Sequence, residues 1–440
     1  MSWKSKPLSP GRMSRRSFVR CLSAAASGML LGRCAGAGGP ADLLTESAAG
    51  DQGGAADTGG RENAAERTSA PSADAVLLGL YSRSAQDAEG AVRQACQELD
   101  WSWLKPGDSV FVKLACNSGN AHPAVTSPAA VRGVCRELLD RGASKVLAGD
   151  QSGIEYVRLA AGDVLTGSTR NQMQKTGLLA AIEESGAQAY CFEEHGYEQG
   201  YFAGALDVPG SHWTEAPRIA SVIRDVDHIV TLPRMSSHLI AGCSLGLKCS
   251  IGWLRDDSRY LLHFLGSTIH EKYVEVNWCS ELATRHRLTL TLAEKVLLDA
   301  GPDVGTVAEA EPMLVVASHH MVNHDAVASA LLAFMDTVTP PDPDLLVTYG
   351  QKADDVNHTL VSLLVPAKYG GPWGPLPMDQ YTPVAWHDYQ KGISSDRALL
   401  RGYEILGGMP AGIPVRLAGD GESGDIITFL KERDAGIYGV

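Results

Sequence analysis

The hydrophobic positions of this chain fall into two regimes. From residue 75 onward, short apolar runs alternate with stretches whose apolar residues recur every three or four positions, the patterns of buried strands and of helices packed on one face. Ala75-Val76-Leu77-Leu78-Gly79-Leu80 reads as a strand and residues 87–99 as a helix. Lys105-Pro106-Gly107-Asp108 is a turn feeding an apolar strand over 109–114. Thr126-Ser127-Pro128 supplies an N-cap and a proline at the first helical position for a helix reaching about Arg141, and the next strand starts at Lys145 and ends on Asp150. The alternation continues with a helix over 171–184, strands at 188–192 and 227–232, and a long helix around 270–286. Strands at 288–292 and 313–317 and a helix from about His324 to Met335 follow. Residues 337–387, rich in Pro and Gly, read as loops, and a last unit near 396–438 combines a helix with strands at 413–417 and 426–429. Strands alternating with helices of this length predict an α/β fold, with a mostly parallel sheet or sheets flanked by helices and arranged in two lobes. No internal repeat is visible.

Before residue 75 the pattern is different. Ser14-Arg15-Arg16-Ser17-Phe18-Val19-Arg20 has two arginines, a phenylalanine two positions on and a further basic residue, the pattern of a twin-arginine export signal. The apolar run behind it, from Cys21 to Leu31, suits the hydrophobic region of a signal and is far too short to span a bilayer. Residues 1–34 are therefore expected to be a signal peptide read by the twin-arginine translocation machinery. The protein would then be periplasmic, or anchored by lipid on the outer side. Leu31-Gly32-Arg33-Cys34 resembles a lipobox with Arg33 where a small residue is wanted, so two outcomes stand: a lipid anchor at Cys34, or cleavage in the Ala/Gly run at 35–39. Residues 35–74 hold few large apolar side chains to offset their ordering entropy and read as a flexible tether. This division leaves an α/β domain over 75–335 and a loop-rich C-terminal extension with a small α/β unit over 336–440.

Charge sharpens the contrast. The formal net charge is −13, yet residues 1–34 carry seven Lys/Arg and no acid, so the remainder sums to −20. An acidic body without a basic stripe excludes nucleic acid as a partner through its general field. A local cationic pocket is compatible with it. The nine cysteines include no C-x-x-C pair, so no iron–sulfur cluster or zinc ribbon is expected, and no cofactor is named by the sequence. The seven cysteines of the body read as small buried apolar residues rather than a full disulfide framework. Nothing in the chain sets the oligomeric state.

Several short runs together resemble a known family. Leu104-Lys105-Pro106-Gly107-Asp108-Ser109-Val110-Phe111-Val112-Lys113, with Asn117, Ser127-Pro128 and Gly142-Ala143, is similar to the opening of the "domain of unknown function 362" family. Asp227-His228-Ile229-Val230-Thr231-Leu232-Pro233-Arg234-Met235-Ser236-Ser237-His238 resembles its strand, Leu-Pro and Lys-x-x-His segment. Ser244-Leu245-Gly246-Leu247-Lys248-Cys249-Ser250-Ile251-Gly252 resembles its Leu-Lys-Asn segment, and Gly301-Pro302-Asp303-Val304-Gly305 with Ala317-Ser318 to Asp325-Ala326-Val327 its closing part. The likeness covers roughly residues 76–335. Arg234 stands near the family's lysine, Cys249 replaces its asparagine, and His319 or His320 takes the place of an aspartate. The iron–sulfur motifs of some members are missing from this chain.

Those runs also hold the candidate chemistry. Lys113 ends a predicted parallel strand, where open α/β sheets bind ligands, and with Asn117 it would hold a carboxylate or phosphate. The plainer reading is a lysine extended along a strand end. Asp150 ends the next strand and would bind a metal, orient Lys113 or cap a helix. Arg234 and His238 place a permanent cation and an imidazole in one loop, which suits an anionic ligand with proton transfer nearby. Lys248 lies in a Gly- and Ser-containing segment ending at Gly252 whose amides would form an anion nest. His238, Lys113 and Lys248 are thus the catalytic candidates, with Asn117, Asp150, Arg234 and Gly252 as ligand-binding candidates. His320, His324 and Asp325 invite a metal reading, against which Asn323 as a helix N-cap explains part of the pattern. The expectation is an exported enzyme that binds an anionic small molecule or cofactor in a Lys/Arg/His-lined crevice. The alternative is an exported, non-catalytic protein that binds a metal or other ligand.

Overall fold

In the computed structural model, residues 75–440 are described, apart from 239, 264–265, 300, 304, 341–387 and 423. The arginine pair, Cys34, the tether over 35–74 and most of the 337–387 loop region lie outside the described residues. The chain divides into two units, Met1–Arg61 and Glu62–Val440, and everything below concerns the second.

Strand β1 (Val76–Tyr81) is buried throughout. Helix α1 (Ala88–Gln97) begins where the Asp87 carboxylate accepts the Gly90 amide at 2.7 Å, and it buries Ala91, Val92, Ala95 and Cys96 as one stripe. Then come β2 (Ser109–Leu114), α2 (Pro128–Asp140) and β3 (Lys145–Asp150). A hairpin of β4 (Val157–Ala160) and β5 (Val164–Gly167) leads to α3 (Thr169–Thr176), α4 (Leu178–Glu184) and β6 (Gln188–Cys191). A second small ribbon pairs β7 (Tyr201–Ala203) with β8 (Arg218–Ala220). The segment that carries the recognisable motifs is β9 (His228–Leu232), β10 (Ser236–His238), β11 (Gly242–Ser244) and α5 (Gly246–Cys249). Helices α6 (Asp256–His263), α7 (Ile269–Val276) and α8 (Ser280–Ala283) precede the long strands β12 (His286–Leu298) and β13 (Thr306–Ser318). The chain ends with α9 (Met321–Val338), α10 (Arg397–Ile405), β14 (Ile413–Gly419), α11 (Gly424–Glu432) and β15 (Tyr438–Gly439).

Among the described residues eleven strands form one mixed, mostly parallel sheet in the order β15-β14-β1-β13-β12-β9-β2-β3-β6, with β10 beside β12 and β11 beside β10. The two antiparallel contacts along that path are those β13 makes with β1 and β12. Both faces are covered. On one, Val110, Val112 and Leu114 of β2 pack with α1, α2 and α4; on the other, Phe111 joins Trp253, Tyr273 and the buried side of α9. Double coverage is why the strands read as continuous apolar runs. Because alternate residues face opposite ways, Lys113 lies on the Phe111 face, surrounded by apolar neighbours. The parallel registers align Lys113 with Gly149 of β3 and with Thr231 of β9, so Lys113, Asp150 and the loop carrying Arg234 meet at the carboxyl end of the sheet.

Four sequence expectations need correction. The helix over 171–184 is two helices, broken at Gly177, whose φ of 79° is a left-handed stop that glycine adopts without steric cost. The long helix around 270–286 ends at Val276, where the Asn277 amide donates to the Leu247, Tyr273 and Val274 carbonyls; residue 286 already belongs to β12. Residues 426–429 are helical, because Ile426 and Leu430, four apart, are the positions buried there, and that spacing is helical. The α9 helix is capped by His320, whose Nδ1 accepts the Asn323 amide at 3.1 Å, and not by Asn323.

Candidate active site at the carboxyl end of the sheet

At that carboxyl end a cavity of about 90 Å³ is lined by Lys113, Asn117, Asp150, Arg234, Lys248 and Gly252, together with Ser244, Cys249 and Arg259. Six of the seven catalytic or ligand-binding candidates from the sequence are therefore neighbours in space. A single water needs roughly 10–15 Å³ on this measure, so a molecule of a handful of heavy atoms fits.

Each charged side chain is held differently. Lys113, 1% exposed, pairs with Asp150 at 2.8 Å, donates to the Leu114 carbonyl at 2.6 Å, and lies 5.6 Å from the centre of the Trp253 ring. Asp150 accepts the Cys116 amide at 2.7 Å and the Gln151 amide at 2.9 Å. The pair therefore has its charge balanced and its lone pairs occupied, as a buried ion pair requires. Gly252 is needed beside it: a Cβ there would lie 2.0 Å from Asp150 Oδ1 and 2.4 Å from Lys113 Nζ. Arg259 donates to the carbonyls of Ser152, Gln151, Gly252 and Leu254, tying together the loops that form the wall.

Arg234 is 4% exposed and its partners are neutral: the Asn117 side-chain oxygen, the Ala124 carbonyl and, at 3.3 Å, the Ser244 hydroxyl. Its Nε is buried with no acceptor among the described residues. Burial lowers its pKa from the ordinary guanidinium value, an effect opposed by the Asp303 carboxylate, which itself accepts the Asn117 amide at 2.7 Å. Lys248 lines the cavity, its side-chain amine without a hydrogen bond or ion pair among the described residues. Burial and then the Arg234 charge lower its pKa to about 7, so near neutral pH it divides between amine and ammonium.

His238 does not line this cavity. It is buried in β10, where Nδ1 accepts the amides of Ile240 at 3.1 Å and Ala241 at 3.3 Å. Burial, then the positive charges of Lys248 and Arg234, push its pKa well below the usual value, so the ring is neutral. The metal candidates are engaged with protein partners. His320 caps α9, and His324 contacts the Thr291 hydroxyl at 3.0 Å and Asp325 at 2.7 Å. Asp325 accepts the Gly246 and Leu247 amides at 2.8 and 2.7 Å, so this chain of contacts anchors the start of α5, which carries Lys248. Among the described residues no group of three or more His, Cys, Asp or Glu side chains is arranged to hold a metal.

Residues 110–330, just over half of the 440 residues, match the family described as Domain of unknown function (DUF362). The chain belongs to that family. The match contains every member of the cavity just described. No curated protein matches the chain. Among solved structures, a Thermotoga maritima protein is 14% identical with a TM-score of 0.35, over 57% of this chain and 59% of that one, so the chain spans little more than half of that protein. The lactate racemase apoprotein of Thermoanaerobacterium thermosaccharolyticum is 11% identical with a TM-score of 0.35, over 78% of this chain and 83% of that one.

Two contributors to the site of this DUF362 member escape a reading of the sequence. Arg259 sits in α6 with no motif around it, and only the fold brings it to the loops after β3 and α5. Asp303 was legible as part of the Gly301-Pro302-Asp303 run, but its partnership with Asn117 spans 186 residues. All seven cysteines of the body are buried and unpaired, and Cys249 lies against Lys113, its Sγ 3.7 Å from Nζ.

Proposed function

We propose that this protein binds a small anionic molecule, of carboxylate or phosphate type, in the cavity at the carboxyl end of the sheet, and that it acts on it as an exported enzyme. The observation that carries the reading is Arg234: a buried permanent cation with neutral partners and an Nε–H that has no acceptor among the described residues. A buried unsatisfied donor costs about 1–3 kcal/mol, more when charged, and an anion's oxygen is the group that removes that cost. Lys248 adds a second cation, one whose charge depends on pH. Lys113 adds none, because Asp150 neutralises it. The Arg15-Arg16 signal supports export of a folded chain.

Calorimetric titration of the full chain with oxalate, which stays fully ionised from pH 6 to 9, tests the site. Oxalate binds and Arg234→Gln weakens it at least about tenfold, as loss of a charged hydrogen bond of about 1.5–3 kcal/mol implies. Affinity falls as pH rises through about 7, because Lys248 loses its proton, and binding at pH 8 takes up protons as the anion restores the ammonium form. Absence of oxalate and inorganic phosphate binding, or binding indifferent to Arg234, rejects the site.

A further inference from the structure

Lys248 differs from every other basic side chain around the cavity. Lys113 is fixed by Asp150, Arg259 is saturated by backbone carbonyls, and Arg234 is held by Asn117, Ala124 and Ser244. Lys248 reaches the same space with no acceptor among the described residues. Its helix is pinned by Asp325 through two amides, so its backbone is fixed while its amine is left unengaged. A lysine kept from its usual partners and beside a second cation is in the setting that activates amine nucleophiles. On its other flank a smaller pocket is lined by Cys243, Leu247 and Tyr273 and by the carboxylates of Asp325 and Asp396, none of which is within hydrogen-bond distance of the amine.

Resting on the anion-site reading above, we propose that Lys248 forms an imine with a small carbonyl acid of the 2-oxo acid type, whose carboxylate is held by Arg234. The neutral amine of Lys248 adds to the carbonyl carbon, forming a C–N bond as the C=O π pair moves onto oxygen. One N–H proton passes to that oxygen to give a carbinolamine. The C–O bond then breaks, and water leaves with the former carbonyl oxygen and both amine hydrogens. No electron is gained or lost, and no other reactant enters. The shifted pKa of Lys248, near 7, gives a substantial neutral fraction at physiological pH and is consistent with this chemistry. The carbonyl carbon must lie within two or three bonds of the carboxylate, because the cavity admits only a handful of heavy atoms.

The test incubates the full chain with glyoxylate or pyruvate and cyanoborohydride, which reduces any imine to a stable amine, followed by intact mass measurement and peptide mapping. The expected result is one adduct, at Lys248, at least about tenfold above any other lysine and suppressed by oxalate. Lys248→Arg, which keeps the charge and cannot form the imine, abolishes that adduct, and its melting temperature controls for folding. If oxalate binds through Arg234 but Lys248 is not labelled, the imine is refuted and the anion site stands. If neither oxalate nor inorganic phosphate binds, both readings fall. Equal labelling of wild type and Lys248→Arg also overturns the imine.

Discussion

Lys113 and Asp150 are both almost fully buried, and each makes the other tolerable. Their 2.8 Å contact lies on an apolar face of the sheet, where an unpaired charge is strongly unfavourable. Asp150→Asn is therefore expected to destabilise the protein by about 3–5 kcal/mol, since it strands the Lys113 ammonium and weakens the two amide bonds that Asp150 accepts. Urea unfolding checks this, and a loss below about 1 kcal/mol would mean the pair is worth no more than an exposed one. Lys248 is the opposite case. It has no partner to lose among the described residues, so Lys248→Met should leave stability unchanged or raised while weakening oxalate. Comparing the two variants separates a residue that maintains the site from one that works in it.

At the scale of elements, α5 is only four residues long, too short to hold itself, yet it carries Lys248 and Cys249. Its rigidity comes from outside: Thr291 of β12 contacts His324 of α9, His324 contacts Asp325, and Asp325 accepts the first amides of α5. Asp325→Ala leaves two buried amides without acceptors, so it should cost about 1–3 kcal/mol. Faster hydrogen exchange at Gly246 and Leu247 and weaker oxalate binding are expected, although Asp325 does not line the cavity of Arg234. Unchanged exchange at those two amides would show that α5 is fixed by packing alone. The same contacts account for the His320, His324 and Asp325 cluster that reads as a metal site in the sequence. Three residues close in sequence at a strand-to-helix junction serve capping and anchoring.

At the scale of the whole molecule, residues far apart in the chain close one sheet. β14 lies beside β1 in parallel, so the C-terminal segment completes an edge that begins at residue 76. Helix α10 docks through Arg401, which meets the fully buried Glu275 of α7 at 2.8 Å. Glu275→Ala should cost about 1–3 kcal/mol by removing the buried acceptor that Arg401 shares with His212, while Arg401 keeps Glu404 at 2.7 Å, read out as a lower urea midpoint. The proposed export belongs to this scale too, since a twin-arginine route would carry a chain that has already closed this sheet. Arg15→Lys with Arg16→Lys should leave the protein in the cytoplasmic fraction, and unimpaired appearance outside the cytoplasm would reject that route.

The sequence by itself determined the alternation of strands and helices, the burial of both sheet faces and the motifs at the carboxyl strand ends, because periodicity, capping and turn chemistry act within a few residues. It also singled out Lys113, Asn117, Asp150, Arg234, Lys248 and Gly252, since in a parallel sheet the ends of consecutive strands converge. The break at Gly177 is local, a left-handed glycine inside a helical pattern, whereas the helix end at Val276 and the helical state of residues 426–429 were decided by tertiary contacts that override local preference. So were the exclusion of His238 from the cavity, the clamp by Arg259, and the split between a neutralised Lys113 and an unpartnered Lys248. Those depend on which groups the fold brings together, such as Arg259 and the Gln151 carbonyl, 108 residues apart, and such pairing leaves no local pattern to read.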